Sequence, residues 1–102
     1  MSQTFRLSGP ARSDIDSIWD YVFENSFSVE RADGVLAKIF DAIELLAREP
    51  KAGHLREDLT NRPLRFWSVY SYLIAYKPET TPIEIVAIVH GGRDLPKILE
   101  NR

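Results

Sequence analysis

Four side chains in the second half of the chain have the chemistry of a phosphate-cleaving site: His54, Arg65, His90 and Arg93. A histidine titrates near neutral pH and can move a proton, and an arginine beside it can hold a phosphate. The other interpretation is local, with His90 ending a strand and Arg93 pairing with Asp94 or capping a tail helix. We favour the local interpretation, because a single histidine is more often structural than catalytic.

The two histidines do not form a metal motif, since no close helical or loop spacing joins His54 or His90 to further ligands. Glu57 and Asp58 follow His54 in the same polar stretch, where they would repel a phosphate. The chain has no cysteine, which excludes disulfides and thiolate metal sites. The sequence therefore predicts no metal and no cofactor.

Aromatic residues follow Arg65 at close intervals: Trp67, Tyr70, Tyr72 and Tyr76. They could stack on nucleic-acid bases, pack in the core of a sheet, or form a docking surface for a protein partner. Because aromatic residues in strands are more often packed inside, we expect core packing first and partner docking second.

The charge of the chain argues against a nucleic-acid grip. The formal net charge is -2, whereas a domain that holds phosphates usually carries a basic surplus. Residues 10–50 carry nine acids against four bases, and residues 51–102 carry eight bases against six acids. The simplest interpretation is solvated helix faces, and the alternative is that the second half meets an acidic partner.

The length of 102 residues suits a single domain spanning residues 1–102. The N-terminal residues lack the apolar region of a signal peptide, and no apolar run approaches the roughly 20 residues of a membrane span. We therefore expect a cytoplasmic protein without a membrane partner.

Hydrophobic spacing and breaker residues predict seven elements. Apolar residues recur at helical spacing over Pro10–Asn25 and again from the capping Ser28 to the terminating Pro50. Alternating or β-branched runs predict four strands, and helical spacing returns in a short tail helix capped by Asp94. The strands are Thr4–Leu7, Leu64–Tyr70, Tyr72–Lys77 and Ile83–His90.

This order predicts an α+β domain of two layers, in which an antiparallel helical hairpin packs on a mainly antiparallel sheet. The last strand is apolar on both sides, so we expect it to be central and covered on both faces. Simple alternation would place one set of its residues on one face, namely Ile83, Ile85, Ala87 and Val89, and leave Val86 and Ile88 on the other.

Four colinear segments resemble the ParE/RelE toxin superfamily over nearly the whole chain. They are Leu7-Ser8 with Ala11 and Asp14–Tyr21; Ala42–Pro50 with Gly53; Arg65 with Tyr72–Tyr76; and Ile85–Val89 with His90–Leu95. The resemblance implies a toxin of a type II toxin–antitoxin system. Its implied partner is a cognate antitoxin of the ribbon-helix-helix type, with which it forms a hetero-oligomer.

Two positions place the chain nearer the ParE branch than the RelE branch. RelE-type ribonucleases resemble one another in an arginine of the middle strand and a tyrosine or histidine near the C-terminus. Here Leu73 takes the first position, and the tail offers Ile98 and Leu99. The ParE resemblance implies inhibition of DNA gyrase by binding, without catalytic residues or direct nucleic-acid contact. The alternatives are a ribosome-dependent mRNA endonuclease and a non-toxic homologue that only binds antitoxin.

The candidate site residues follow from these alternatives. If the protein is a ribonuclease, the catalytic set is His90, Arg93, Arg65 and His54. Apolar residues beyond the needs of one sheet face predict the antitoxin-binding set, which is Phe23, Phe27, Phe40, Leu95, Ile98 and Leu99. Aromatic and basic residues of the second half predict the target-binding set, which is Arg65, Trp67, Tyr70, Tyr72 and Arg93.

Overall fold

The computed structural model describes residues 5–102, so Thr4 of the predicted first strand lies outside the described residues. The predicted class and element order are confirmed; the bounds of the last two strands are as predicted, and the other described boundaries differ by at most two residues. In chain order the elements are β1 (Phe5–Leu7), α1 (Gly9–Ser26), α2 (Val29–Arg48), β2 (Arg65–Val69), β3 (Tyr72–Lys77), β4 (Ile83–His90) and α3 (Leu95–Glu100).

Local caps define the helical hairpin. The Ser8 hydroxyl oxygen accepts a hydrogen bond from the Ala11 amide at 3.1 Å, and Pro10 occupies the first turn, where its missing N–H costs nothing. Phe27 adopts a left-handed conformation with φ of 53° and ends α1. Ser28 then caps α2, so the reversal between the helices takes two residues and the helices pack side by side.

The four strands form one sheet in the order β1-β4-β3-β2, with β1 parallel to β4 and the other pairs antiparallel. The expectation that β4 is an inner strand is therefore confirmed. Within residues 5–102, β1 pairs only with Ile83–Ile85, and no other strand lies beside the later half of β4 on that side. The helix α1 crosses there, and the functional site described below lies beside this segment.

A β-bulge changes the face assignment that we expected for β4. Tyr76 pairs with Ile85 and Ala75 pairs with Ala87, so Val86 is an additional residue in the ladder. Beyond Ile85 the alternation is shifted, and the expectation that Ala87 and Val89 share a face with Ile83 and Ile85 is wrong. Ile88 packs with Ile83 and Ile85 on the hairpin side, and the opposite side holds Val86, Ala87 and Val89.

The sheet has a core on each face. The hairpin covers the first core, and α3 with part of the loop before β2 covers the second. The first includes Ile15, Ile18, Ile39, Ile43, Ile74 and Ile85. The second includes Leu64, Phe66, Leu73, Val89, Leu95 and Leu99.

The burial of α3 corrects the expectation that the tail offers apolar surface to a partner. Leu95 is 3% exposed and Leu99 is 1% exposed, because they fill the second face of the sheet, and Ile98 is partly buried against them. Phe40 is also partly buried, with its ring centroid 6.2 Å from that of Phe5. The sequence pattern showed that these residues are apolar, but it did not show that they pack into the two cores of the sheet, Phe40 in the first and the α3 residues in the second.

A buried tyrosine ties the loop after α2 to the sheet. The Tyr76 hydroxyl donates to the Pro50 carbonyl at 2.7 Å and accepts from the Gly53 amide at 2.9 Å. Its burial raises the pKa of Tyr76 above the ordinary value. A Cβ at Gly53 would lie 3.0 Å from the Phe66 carbonyl oxygen and 2.5 Å from the Tyr76 hydroxyl, so the loop needs glycine there. Tyr76 is therefore core, as the favoured interpretation of the aromatic residues predicts.

No helix of residues 5–102 combines the length and the apolar character that crossing a membrane requires.

We predict that Tyr76→Phe lowers the free energy of unfolding by about 1–3 kcal/mol, because the Gly53 amide and the Pro50 carbonyl lose their partner. Urea unfolding followed by circular dichroism measures the change. Tyr70→Phe is the matched control, since the Tyr70 side chain is 66% exposed and should change stability by less than about 0.5 kcal/mol. Equal stabilities of the two variants would contradict the role of the hydroxyl.

Candidate functional site

A cleft of about 570 Å³ lies between α1 and the end of β4, and we call it the His90 cleft. The helix α1 forms one wall, the ends of β3 and β4 form the other, and the turn after β4 closes one side. The lining residues are Asp14, Ser17, Ile18, Tyr21, Tyr72, Ile88, Val89, His90, Gly92 and Arg93.

The turn after β4 holds the His90 ring at the cleft. The Gly92 amide donates to His90 Nδ1 at 3.1 Å, and the ring packs edge-on against Tyr72 with centroids 6.0 Å apart. A Cβ at Gly92 would lie 3.2 Å from Nδ1, so glycine permits this close approach. Because Nδ1 accepts a hydrogen bond, neutral His90 carries its proton on Nε2. His90 therefore has the local hydrogen bond that we expected, and it also lines a cleft.

Asp14 completes the unpaired side of β4. Its carboxylate accepts from the Ile88 amide at 2.9 Å and from Arg102 at 3.0 Å. Arg102 also donates to the Val86 carbonyl at 3.3 Å, so the end of the chain is tied to the bulge. Asp14 thus takes the place that a neighbouring strand would have, and its hydrogen-bonding capacity is largely used within the protein.

Two tyrosines face each other across the cleft. Tyr21 on α1 is 61% exposed, whereas Tyr72 on β3 is partly buried. Burial raises the pKa of Tyr72, with a smaller contribution from Tyr21, so its hydroxyl stays protonated well above neutral pH and remains a donor.

Sequence reasoning did not select Asp14, Ser17 and Tyr21 as site residues. A signal was present, since Asp14, Ile18 and Tyr21 follow the spacing i, i+4, i+7 and so share one helix face. The opposite wall of the cleft comes from residues more than fifty positions away. The chain alone does not show which strand that helix face meets.

The structure does not bring the four ribonuclease candidates together. Arg65 pairs across the sheet with Tyr76, and His90 pairs with Tyr72, which places them about 13 Å apart along β3. Arg65 donates to the Gly53 carbonyl at 2.7 Å, so it holds the loop after α2. His54 stacks on Trp67 with centroids 6.3 Å apart.

The predicted target-binding residues also lie in two separate places. Arg65 and Trp67 lie on β2 with the loop, whereas Tyr70, Tyr72 and Arg93 meet around a smaller cleft of about 210 Å³. Arg56 also lines this smaller cleft, where two hydrogen bonds of 2.8 and 2.9 Å hold its guanidinium to Asp58.

The antitoxin-binding candidates retain one strongly exposed side chain. Phe23 stacks on Trp19 at 5.3 Å, and Phe27 packs edge-on against Phe23 while remaining 82% exposed. Near the reversal a second, mainly apolar groove of about 610 Å³ runs between α1 and α2, and we call it the hairpin groove. It is lined by Tyr21, Val22, Asn25, Ser26, Arg31, Gly34, Val35, Lys38 and Tyr70.

Among residues 5–102 there is no group of three histidine, aspartate or glutamate side chains placed to hold a metal ion.

The sequence of the chain matches a family model over residues 5–95, which is most of its length. That model describes the ParE toxin of the type II toxin–antitoxin system, parDE. The chain belongs to the ParE toxin family. Toxin ParE1 of Caulobacter vibrioides is 30% identical over 86 residues, covering 84% of this chain and 86% of the relative.

A solved structure shows the same fold. The chromosomal ParDE toxin–antitoxin system of P. aeruginosa contains a chain that superposes with a TM-score of 0.71 and 17% identity. The match covers 84% of the present chain and 92% of the other. The superposition shows that the two chains share a fold.

The middle-strand position that distinguishes the branches is part of the core of this ParE family member. Leu73 is 9% exposed and packs in the second core under α3. A leucine there offers no charge to a phosphate, and most of its side chain is used in packing within the second core.

We predict that Asp14→Ala lowers the free energy of unfolding by about 1–3 kcal/mol, because the Ile88 amide and the Arg102 guanidinium lose their shared acceptor. Hydrogen exchange at the Ile88 amide should also become faster. Asp16→Ala, on the exposed side of the same helix, is the control and should leave both measurements unchanged. Unaltered Ile88 exchange in Asp14→Ala would refute the assignment.

Proposed function

We propose that this ParE family protein is the toxin of a toxin–antitoxin pair, that it inhibits DNA gyrase by binding, and that a cognate antitoxin neutralises it. The observation that carries the proposal is the burial of Leu73 where a ribonuclease of the superfamily would need a cation. The separation of Arg65 and His54 from His90 supports the same conclusion, because acid–base catalysis needs its groups within hydrogen-bond reach of one substrate.

The surface near the hairpin reversal supports binding of an antitoxin. Phe27 is an exposed apolar side chain on one side of the reversal, and the hairpin groove lies along the two helices. Arg31 and Lys38 at that groove give it a positive rim. An amphipathic helix with acidic residues beside its apolar stripe suits such a groove. We therefore propose an antitoxin of the ribbon-helix-helix type that uses such a helix, in a hetero-oligomer with the toxin.

We predict that the purified protein inhibits DNA supercoiling by gyrase at micromolar concentration. The measurement is relaxed-plasmid supercoiling by purified gyrase, titrated with the protein in the presence and absence of its antitoxin. Full gyrase activity at those concentrations would refute the proposed target.

The ribonuclease alternative is tested separately, in cells in which the protein is induced. Primer extension on mRNA from induced cells would show codon-positioned cuts, and those cuts would vanish in His90→Ala. That result would show that the toxin acts as a ribonuclease and not by binding gyrase.

We predict that Phe27→Ser weakens antitoxin binding by ten-fold or more, because it removes the most exposed aromatic side chain of the predicted antitoxin-binding set. The measurement is the dissociation constant for the purified product of the neighbouring antitoxin gene. Leu55→Ser is the matched control, since Leu55 is also an exposed apolar residue but lies on the loop before β2. Equal effects of the two substitutions would argue against a specific contact at Phe27.

A further inference from the structure

The His90 cleft presents hydrogen-bond donors with few acceptors. Tyr21 and Tyr72 offer hydroxyl groups, His90 offers Nε2–H, and Arg93 offers a guanidinium. None of the hydrogen bonds and ion pairs found within residues 5–102 engages these groups. A surface with several convergent donors is complementary to an acceptor, and most strongly to an anionic one.

The carboxylate in the cleft does not supply a balancing acceptor. Asp14 already accepts from the Ile88 amide and from both terminal nitrogens of Arg102. The charge of Arg102 compensates that of Asp14, so among the lining residues Arg93 carries the charge that is left uncompensated. The cleft is therefore electrostatically suited to one negative group.

We infer that the His90 cleft is the surface by which the toxin contacts its protein target, and that it receives a carboxylate side chain of that target beside Arg93 and His90. This inference rests on the proposed function, because it assigns the surface through which inhibition by binding would occur. It also revises the target-binding set. Tyr72 and Arg93 remain, and Tyr21 and His90 enter. Tyr70 leaves the set, since it lines the hairpin groove and the smaller cleft instead, and Arg65 and Trp67 become structural.

The surroundings favour a protein carboxylate over a nucleic acid. Asp20 lies three residues after Ser17 on α1, and Glu24 lies three residues after Tyr21, so two further acids lie within one helical turn of lining residues, although neither lines the cleft. A strand of phosphates carries several negative charges and a carboxylate carries one, so nearby acids disfavour the strand more strongly. The net charge of -2 also gives no general attraction for a polyanion.

The composition of the cleft agrees with a protein interface. Tyrosine and arginine are enriched among the residues that dominate binding energy, and a tyrosine loses little conformational entropy on contact. Here two tyrosines flank an arginine and a histidine whose ring is already fixed by Gly92 and Tyr72. The donors are therefore partly preorganised, which lowers the cost of binding.

The test uses charge variants of the full chain. Arg93→Glu reverses the charge in the cleft, and Arg93→Lys keeps the charge but loses the planar fork. Arg12→Glu is the matched control, because Arg12 is exposed on α1 and is not a lining residue of the cleft. Each variant is compared with wild type for growth arrest after induction without antitoxin, for gyrase inhibition and for antitoxin affinity.

We expect Arg93→Glu to raise the half-inhibitory concentration by at least ten-fold and to abolish growth arrest, with antitoxin affinity unchanged. Arg93→Lys should fall between wild type and Arg93→Glu, and Arg12→Glu should match wild type. His90→Ala should weaken inhibition in the same direction. Circular dichroism checks that each variant folds. If the reversed charge prevents Arg93→Glu from folding, Arg93→Gln is used in its place.

Three results would overturn the inference. One is full toxicity of both Arg93→Glu and His90→Ala. Another is an Arg93→Lys variant as inactive as Arg93→Glu, which would contradict a contact based on charge. The third is tight binding of a labelled single-stranded RNA 12-mer that Arg93→Glu abolishes, since it would make the ligand a nucleic acid.

Failure of the proposed target is distinguishable from failure of the cleft. If wild type arrests growth but leaves gyrase active, gyrase is the wrong target, and the growth assay still compares the cleft variants. If wild type inhibits gyrase and the cleft variants inhibit it equally, the target stands and the assigned surface is wrong.

Discussion

The burial of β4 on both faces is the constraint on which the other parts of the structure depend. An inner strand with apolar residues on each side must be covered twice, because a single layer leaves one row of side chains in water. The hairpin of α1 and α2 covers one face, and α3 covers the other with Leu95 and Leu99. The short tail helix therefore belongs to the core, and little apolar surface remains on it for a partner.

The ladder of β4 also explains where the His90 cleft lies. β1 ends at Leu7, and the chain turns at once into α1, so β1 does not continue beside Ile88. Asp14 from α1 pairs with the Ile88 amide instead, and Arg102 neutralises the carboxylate. A helix lying beside a strand edge leaves a gap where their surfaces diverge, and Tyr21 and His90 line that gap.

Membership of the ParE family and the geometry of the sheet both support the proposal that the protein acts by binding other proteins. The residues that suit nuclease chemistry are divided between the two ends of β3, and Arg65 and Tyr76 hold the loop after α2. What remains accessible is a donor-rich cleft at one end of the sheet and an apolar groove along the hairpin. Our proposal assigns these two surfaces to two different protein partners.

The sequence by itself determined the elements, their order, the fold class and the departure from the ribonuclease pattern at Leu73. These features depend on local periodicity, on capping residues such as Ser8 and Ser28, and on the identity of single residues. All of this information lies in residues that are close together in the sequence. Only the tertiary structure decided the bulge at Val86, the burial of Leu95 and Leu99, and the placement of Tyr21 and His90 in one cleft. Each of these depends on pairing between distant segments, and a one-residue shift in a strand moves every later side chain to the opposite face.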